Sequence, residues 1–142
     1  VFGSYFLQTK SVDYEVFILG SIIGFLCVGV LNLNNIRDIE NDSKMNKKTI
    51  PTRIGFKNAK FYHYCLIILS ILLILTFATE FKISNNFIFI IVGIIPISFH
   101  LFKVNQAKSP IEFKPLLKQL AISIFFFSIF MSIFLIYESI FF

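Results

Sequence analysis

Residues Val16 to Leu33 read VFILGSIIGFLCVGVLNL and run without a break into Asn34-Asn35-Ile36-Arg37-Asp38-Ile39-Glu40-Asn41-Asp42. The first part carries no charged side chain. As a helix it rises about 27 Å, close to the hydrocarbon thickness of a bilayer. The second part is polar from its first residue. A membrane span ending in a charged segment at the membrane edge decides the fold class: an all-α, multi-span helical membrane bundle.

Composition agrees. Of 142 residues, 56% are hydrophobic, and the mean hydropathy is +0.80. A soluble domain of that balance would expose more apolar surface than water tolerates. Further apolar runs predict three more complete spans, so that the four cover about residues 16–33, 61–79, 86–102 and 119–137. Residues 1–7 read as the end of one more helix, and residues 80–85 as a short loop. Gly20, Gly24 and Gly29 form a small-residue stripe expected to let helix backbones approach. Pro96 is expected to kink the third span. Residues 34–60 are the functional loop. They are expected to stay helical to about Lys44 and to leave the helix from Met45 to Thr49. Gly55 then closes a turn, and Asn58 caps the next helix. The chain opens on Val1 with no signal peptide pattern. Residues 1–142 are read as the C-terminal part of a single transmembrane domain, with a missing N-terminal half.

The net charge of +5 is unevenly spread. Eleven of the 13 Lys and Arg residues fall in the segments 34–60 and 103–118, leaving only Lys10 and Lys82 elsewhere. By the positive-inside rule both basic segments face the cytoplasm, in a multi-pass protein of the cell (inner) membrane. Lys57, Lys60 and the whole second segment are assigned to topology alone. No aromatic-interleaved basic face points to nucleic acid. Cys27 and Cys65 are expected as small apolar core residues, and His63 and His100 as interhelical hydrogen-bonding groups.

Asn34, Asp38 and Asp42 are four residues apart. Each such step advances by about 400° on a helix, so the three side chains share one face. Glu40, about 200° round from Asp38, points the other way. An amide and two carboxylates in one column form a hard, oxygen-only ligand set of the kind Mg²⁺ takes, together with a substrate phosphate. Arg37, Lys47, Lys48 and Arg53 lie close by and suit a polyphosphate.

The same stretch resembles the second aspartate-rich motif of the UbiA superfamily of membrane prenyltransferases. It is most similar to the branch that prenylates 1,4-dihydroxy-2-naphthoate in menaquinone biosynthesis. That branch carries Asn-Asn-x-Arg-Asp-x-x-x-Asp, then Gly-Lys-x-Thr-Leu, then Val-Arg-x-Gly. Here the corresponding residues are Asn34 to Asp42, then Asn46-Lys47-Lys48-Thr49-Ile50, then Thr52-Arg53-Ile54-Gly55. Asn46, Ile50 and Thr52 depart from the pattern. Upstream, Gly3-Ser4-Tyr5-Phe6-Leu7-Gln8-Thr9 resembles the branch's Gly-Thr-Tyr-Tyr-x-Gln-Thr.

The resemblance implies a nine-helix fold of which this chain holds roughly the C-terminal half. It implies a Mg²⁺-dependent enzyme that moves a polyprenyl group from polyprenyl diphosphate to 1,4-dihydroxy-2-naphthoate. Asp38 and Asp42 would be catalytic and, with Asn34, would bind metal. Arg37, Lys47, Lys48 and Arg53 would bind diphosphate, and Tyr5, Gln8 and Asn35 would contact substrate. A first aspartate-rich column would be needed from elsewhere in the protein, so this piece is expected to be inactive alone. A UbiA-type enzyme with another acceptor, and a non-catalytic membrane scaffold, stay open as alternatives.

Overall fold

The structure is a computed structural model that describes residues 2–80 and 87–141, with side chains described for 2–79 and 93–136. The elements are α1 (Phe2–Thr9), α2 (Tyr14–Arg37), α3 (Ile39–Lys44), α4 (Ile50–Glu80), α5 (Phe87–Gln106) and α6 (Phe113–Phe141). A 3₁₀ turn, Pro110–Glu112, precedes α6. Among the described residues, Tyr14–Arg37, Ile50–Thr79 and Pro110–Ile136 are long and apolar enough to cross a membrane. These are three of the four expected spans. The fourth, α5, is a helix of 20 residues, and its opening side chains lie outside the described residues. Of the loop expected over residues 80–85, Glu80 still belongs to α4, and the rest lies outside the described residues, as do the last side chains of the chain.

α2 packs against α4 and α6, and α5 packs against the same two helices. Successive long helices therefore form a ring of antiparallel neighbours around one apolar core. Ile22, Leu26 and Leu33 of α2 meet Ile67 and Ile74 of α4, Ile97 and Val104 of α5, and Leu120 and Phe127 of α6. The outer surface is also apolar, with Phe61, Phe99, Phe125 and Phe126 all exposed. A bundle that is apolar inside and out is what a lipid environment selects. Cys27 and Cys65 lie on that outer surface rather than in the core as expected.

Of the expected small-residue stripe, Gly29 is a close approach and Gly24 is not. A Cβ on Gly24 would meet nothing within 4 Å, whereas one on Gly29 would come within 3.1 Å of Ile67. Gly93 lies closer still to a neighbour, since a Cβ there would sit 2.7 Å from the Phe127 ring. Gly29 fits α2 against α4, and Gly93 fits α5 against α6.

Polar side chains tie the helices together at one end. The buried Asn32 of α2 donates from Nδ2 to the carbonyl of Ala59 at 3.0 Å. One residue on, Lys60 Nζ donates to the carbonyls of Asn105 and Ala107 at 2.9 and 2.7 Å. These are last-turn and post-helical carbonyls of α5, which have no partner within their own helix. Lys60 is thus a cross-helix cap, where topology alone was expected. A turn further in, His63 and His100 face each other with Nε2 atoms 3.0 Å apart, both fully buried. This is the interhelical bond expected of the two histidines. Removing either ring would leave the other's nitrogen without a partner, at a cost of about 1–3 kcal/mol.

These contacts place the start of α4 beside the end of α5, so segments 34–60 and 103–118 share one end of the bundle. The connection between α1 and α2 is at the other end, where the Tyr5 hydroxyl donates to Asp13.

Candidate functional site

The acidic column is assembled where α2 ends. Asp38 has φ −96° and ψ 7°, outside the helical region, and it separates α2 from α3. The expected continuous helix to Lys44 is therefore broken at its middle carboxylate. The helical bonding nevertheless carries across the break. The Asp38 amide donates to the Asn34 carbonyl at 3.2 Å, and the Asp42 amide donates to the Asp38 carbonyl at 2.8 Å. The four-residue repeat thus survives as a column of backbone bonds. Glu40 is exposed, as its position half a turn from the column requires.

α3 closes on Asn46. The Asn46 amide donates to the Ser43 carbonyl at 3.2 Å, and the Lys47 amide donates to the Asp42 carbonyl at 2.8 Å. This pair of bonds is a Schellman closure, which needs a left-handed residue just past the helix end. Asn46 supplies it, with φ 52°. The position where the resembling branch has Gly is filled here by Asn, among the non-glycine residues that best tolerate this conformation.

α4 begins with a capping box. The Thr52 amide donates to Thr49 Oγ1 at 3.4 Å, and the Thr49 amide donates to Thr52 Oγ1 at 2.8 Å. Pro51 is buried in the first turn, where its missing N–H costs nothing. The helix is interrupted at Gly55, whose φ of 80° and ψ of 163° are far from helical, and resumes at once. The expected cap at Asn58 is absent, because Asn58 lies inside the helix and donates from Nδ2 to the Ile54 carbonyl. α4 therefore reaches back to Ile50, and the non-helical connection from α3 is only a few residues long. That brings Lys47, Lys48 and Arg53 close to the column in the chain.

Each carboxylate of the column has a cation. Arg37 forks onto Asp38, with Nε to Oδ1 at 2.8 Å and Nη2 to Oδ2 at 2.6 Å. The Arg37 hydrogen bonds hold the Asp38 carboxyl below the usual carboxylate range; burial opposes them, and the charges of Arg37 and Lys47 help to a lesser degree. Asp38 is therefore ionised at neutral pH. Because its pKa is depressed on folding, its stabilising contribution is complete above the ordinary carboxylate pKa and is lost only as pH falls through the lower folded value. Asp42 is buried, and Lys47 Nζ lies 3.1 and 3.2 Å from its two oxygens. Lys48 and Arg53 are exposed and make no ion pair among the described residues.

The residue types, an amide oxygen and two carboxylates, are those a hard divalent cation takes, and Arg37 and Lys47 now hold the carboxylate oxygens such an ion would use. Among the described residues no group of three His, Cys, Asp or Glu encloses a metal position. Asn34 and Asn35 are half-buried near the end of α2. Tyr5 and Gln8 do not join them. Tyr5 is bonded to Asp13, just before α2 begins. A helix of 24 residues separates that end from the column by roughly 36 Å. Tyr5 and Gln8 thus lie at the opposite end of α2 from Asn35.

The family model for UbiA prenyltransferases matches residues 1–130. The chain belongs to the UbiA prenyltransferase family. This UbiA chain is 35% identical over 120 residues to the 1,4-dihydroxy-2-naphthoate octaprenyltransferase of Haemophilus influenzae, covering 84% of the chain and 39% of that protein. It is 36% identical over 77 residues to the Escherichia coli protein of the same name, covering 54% of the chain and 25% of the relative. The Bacillus subtilis protein of that name is 42% identical over 57 residues, or 39% of the chain and 18% of the relative. No solved structure matches. The UbiA chain therefore spans well under half the length of these relatives.

Sequence reasoning missed Lys60 and Asn32 as helix-tying residues of this UbiA chain, and Thr49 with Thr52 as the cap. The Thr49-x-x-Thr52 spacing was a legible capping signal. Lys60 left none, since its partners are carbonyls 45 and 47 residues away.

Proposed function

We propose that the whole enzyme to which this chain belongs transfers a polyprenyl group from polyprenyl diphosphate to 1,4-dihydroxy-2-naphthoate, as a step of menaquinone biosynthesis. The observation that carries the reading is the column of Asn34, Asp38 and Asp42 at the end of a span, with Arg37 and Lys47 on its carboxylates. The three relatives share one printed name, and it names this acceptor.

In this reading Asn34, Asp38 and Asp42 hold Mg²⁺, as part of a shell completed by carboxylates from the rest of the protein. Held there, the ion would supply positive charge to offset that of the leaving diphosphate. Arg37, Lys47, Lys48 and Arg53 bind the leaving diphosphate oxygens and stabilise the charge that collects there. The half-buried Asn35, beside the column, orients substrate. The apolar bundle keeps the prenyl chain in lipid while the diphosphate stays at the polar end. The aromatic ring captures the allylic carbon, and its carboxylate leaves as CO₂.

In the test, full-length enzyme in nanodiscs is titrated with a polyprenyl diphosphate with and without Mg²⁺. The expected result is affinity weakened by about tenfold or more on chelation, since the charge of both partners is then unbalanced. Equal affinity with and without the ion would contradict the role given to the column.

The proposal also sets orientation. The end that holds residues 34–60 and 103–118 faces the cytoplasm of the inner membrane, by the distribution of Lys and Arg. In a background without Cys27 and Cys65, Ser43→Cys should react with impermeant thiol reagents only from the cytoplasmic side, and Ser11→Cys only from outside. The reverse pattern would overturn the orientation.

A further inference from the structure

The two carboxylates of the column are neutralised in different ways. Asp38 is gripped by the planar fork of the adjacent Arg37. Asp42 is held by a single ammonium, that of Lys47, at 3.1 and 3.2 Å from its oxygens. Asp42 is buried while Lys47 is exposed, so the amine reaches in from the polar side. The backbone builds this pair. The Schellman closure at Asn46 bonds the Lys47 amide to the Asp42 carbonyl at 2.8 Å, which holds both ends of the ion pair in register.

A buried carboxylate is costly unless a cation is bound to it. Lys47 supplies that charge where a divalent ion would supply it when bound. A divalent ion at Asp42 would displace the ammonium, because both would use the same oxygens. The lysine stem is flexible and its head is a compact charge. It can leave by rotation of the side chain alone, with the backbone closure unchanged.

We infer that Lys47 is an exchangeable counter-ion: it occupies Asp42 while no divalent ion is bound, and the arriving ion releases it to the diphosphate oxygens. This rests on the reading of Asn34, Asp38 and Asp42 as metal ligands. The consequence is a pair of opposite effects from one side chain. Loss of Lys47 weakens diphosphate binding yet strengthens binding of the ion, since the ion no longer has to displace a cation. A lysine that only met diphosphate would not compete for Asp42. Lys48, the next residue, carries the same charge without an ion pair to the column, and is the internal control.

Mn²⁺ binding to the full-length enzyme in nanodiscs, without diphosphate, is read by electron paramagnetic resonance. Lys47→Met should tighten Mn²⁺ by about tenfold, the scale of a lost charge-assisted bond. Lys47→Arg should stay near wild type, and Lys48→Met should change the Kd by less than about threefold, the range of a screened surface charge. Lys47→Met binding Mn²⁺ no tighter than Lys48→Met overturns the exchange. A second measurement needs no variant. Acylation of the Lys47 amine in the wild-type enzyme, followed by mass spectrometry, should speed up on addition of Mn²⁺ while that of Lys48 does not. An unchanged Lys47 rate also overturns it. If wild type binds no Mn²⁺ even with diphosphate present, the metal reading itself fails and the exchange with it. If Mn²⁺ binds but these comparisons fail, the exchange alone is lost.

Discussion

Asp38→Asn and Asp42→Asn should each lower turnover of the full-length enzyme by about 10²-fold or more, the scale of losing one main electrostatic contact to a developing charge. The reasons differ in detail. Asp38 is ionised at neutral pH and bonded to Arg37 through both oxygens. An amide there keeps one acceptor, loses the charge, and frees the guanidinium from its place. Asp42 is buried, so its charge acts in a medium of low dielectric, where it is worth more than at the surface. An amide at Asp42 removes the charge that an ion would need and leaves Lys47 without its partner. Glu40→Gln should stay within about twofold of wild type, since an exposed carboxylate in high dielectric contributes little. Steady-state kinetics on variants of unchanged oligomeric profile make the comparison. If Glu40→Gln is as damaging as Asp38→Asn, the column is not the functional face.

The second large effect separates charge that binds substrate from charge that sets topology. Lys47→Ala and Lys48→Ala should each weaken catalysis by about 1–3 kcal/mol, the range of a charge-assisted hydrogen bond. The loss should appear mainly as a raised KM for the polyprenyl diphosphate, with little change for the aromatic acceptor. Lys114 and Lys118 are exposed in the first turns of α6. They lie at the same end of the bundle but have no acidic column of their own. Lys114→Ala and Lys118→Ala should alter neither constant appreciably, because enough positive charge remains to fix orientation. Kinetics with each substrate varied in turn decide the point. Equal losses from all four lysines would mean that the basic segments act as a diffuse field.

The helices were legible because apolar runs of bilayer length, bounded by polar residues, have few other uses. Their faces were not. α2 is apolar nearly all round, so composition cannot tell which side meets α4. That is why Gly24 was grouped with Gly29 in one packing stripe, and why Cys27 and Cys65 were placed in the core. Helix ends were misjudged for a related reason. The polar residues after Ile50 suggested loop, but the Thr49–Thr52 box and Pro51 start a helical turn there, and Gly55 makes the expected turn between it and the long helix. The repeat of Asn34, Asp38 and Asp42 was legible from spacing, because i, i+4 side chains on one helix share a face. The break at Asp38 was not, since no proline or glycine marks it. Which cation sits on which carboxylate also needed the structure. Arg37 and Lys47 were grouped as diphosphate ligands with Lys48 and Arg53, yet only the first two reach the column.

The most direct test of the account is a carbon and phosphate balance on the full-length enzyme with Mg²⁺. The substrates are a polyprenyl diphosphate and 1,4-dihydroxy-2-naphthoate labelled with ¹³C in its carboxylate. The account predicts that labelled CO₂, diphosphate and prenylated naphthoquinol appear in equal amounts, and that all three vanish together in Asp42→Asn. Diphosphate release with no prenylated naphthoquinol, or faster prenylation of a different aromatic acceptor, would contradict it.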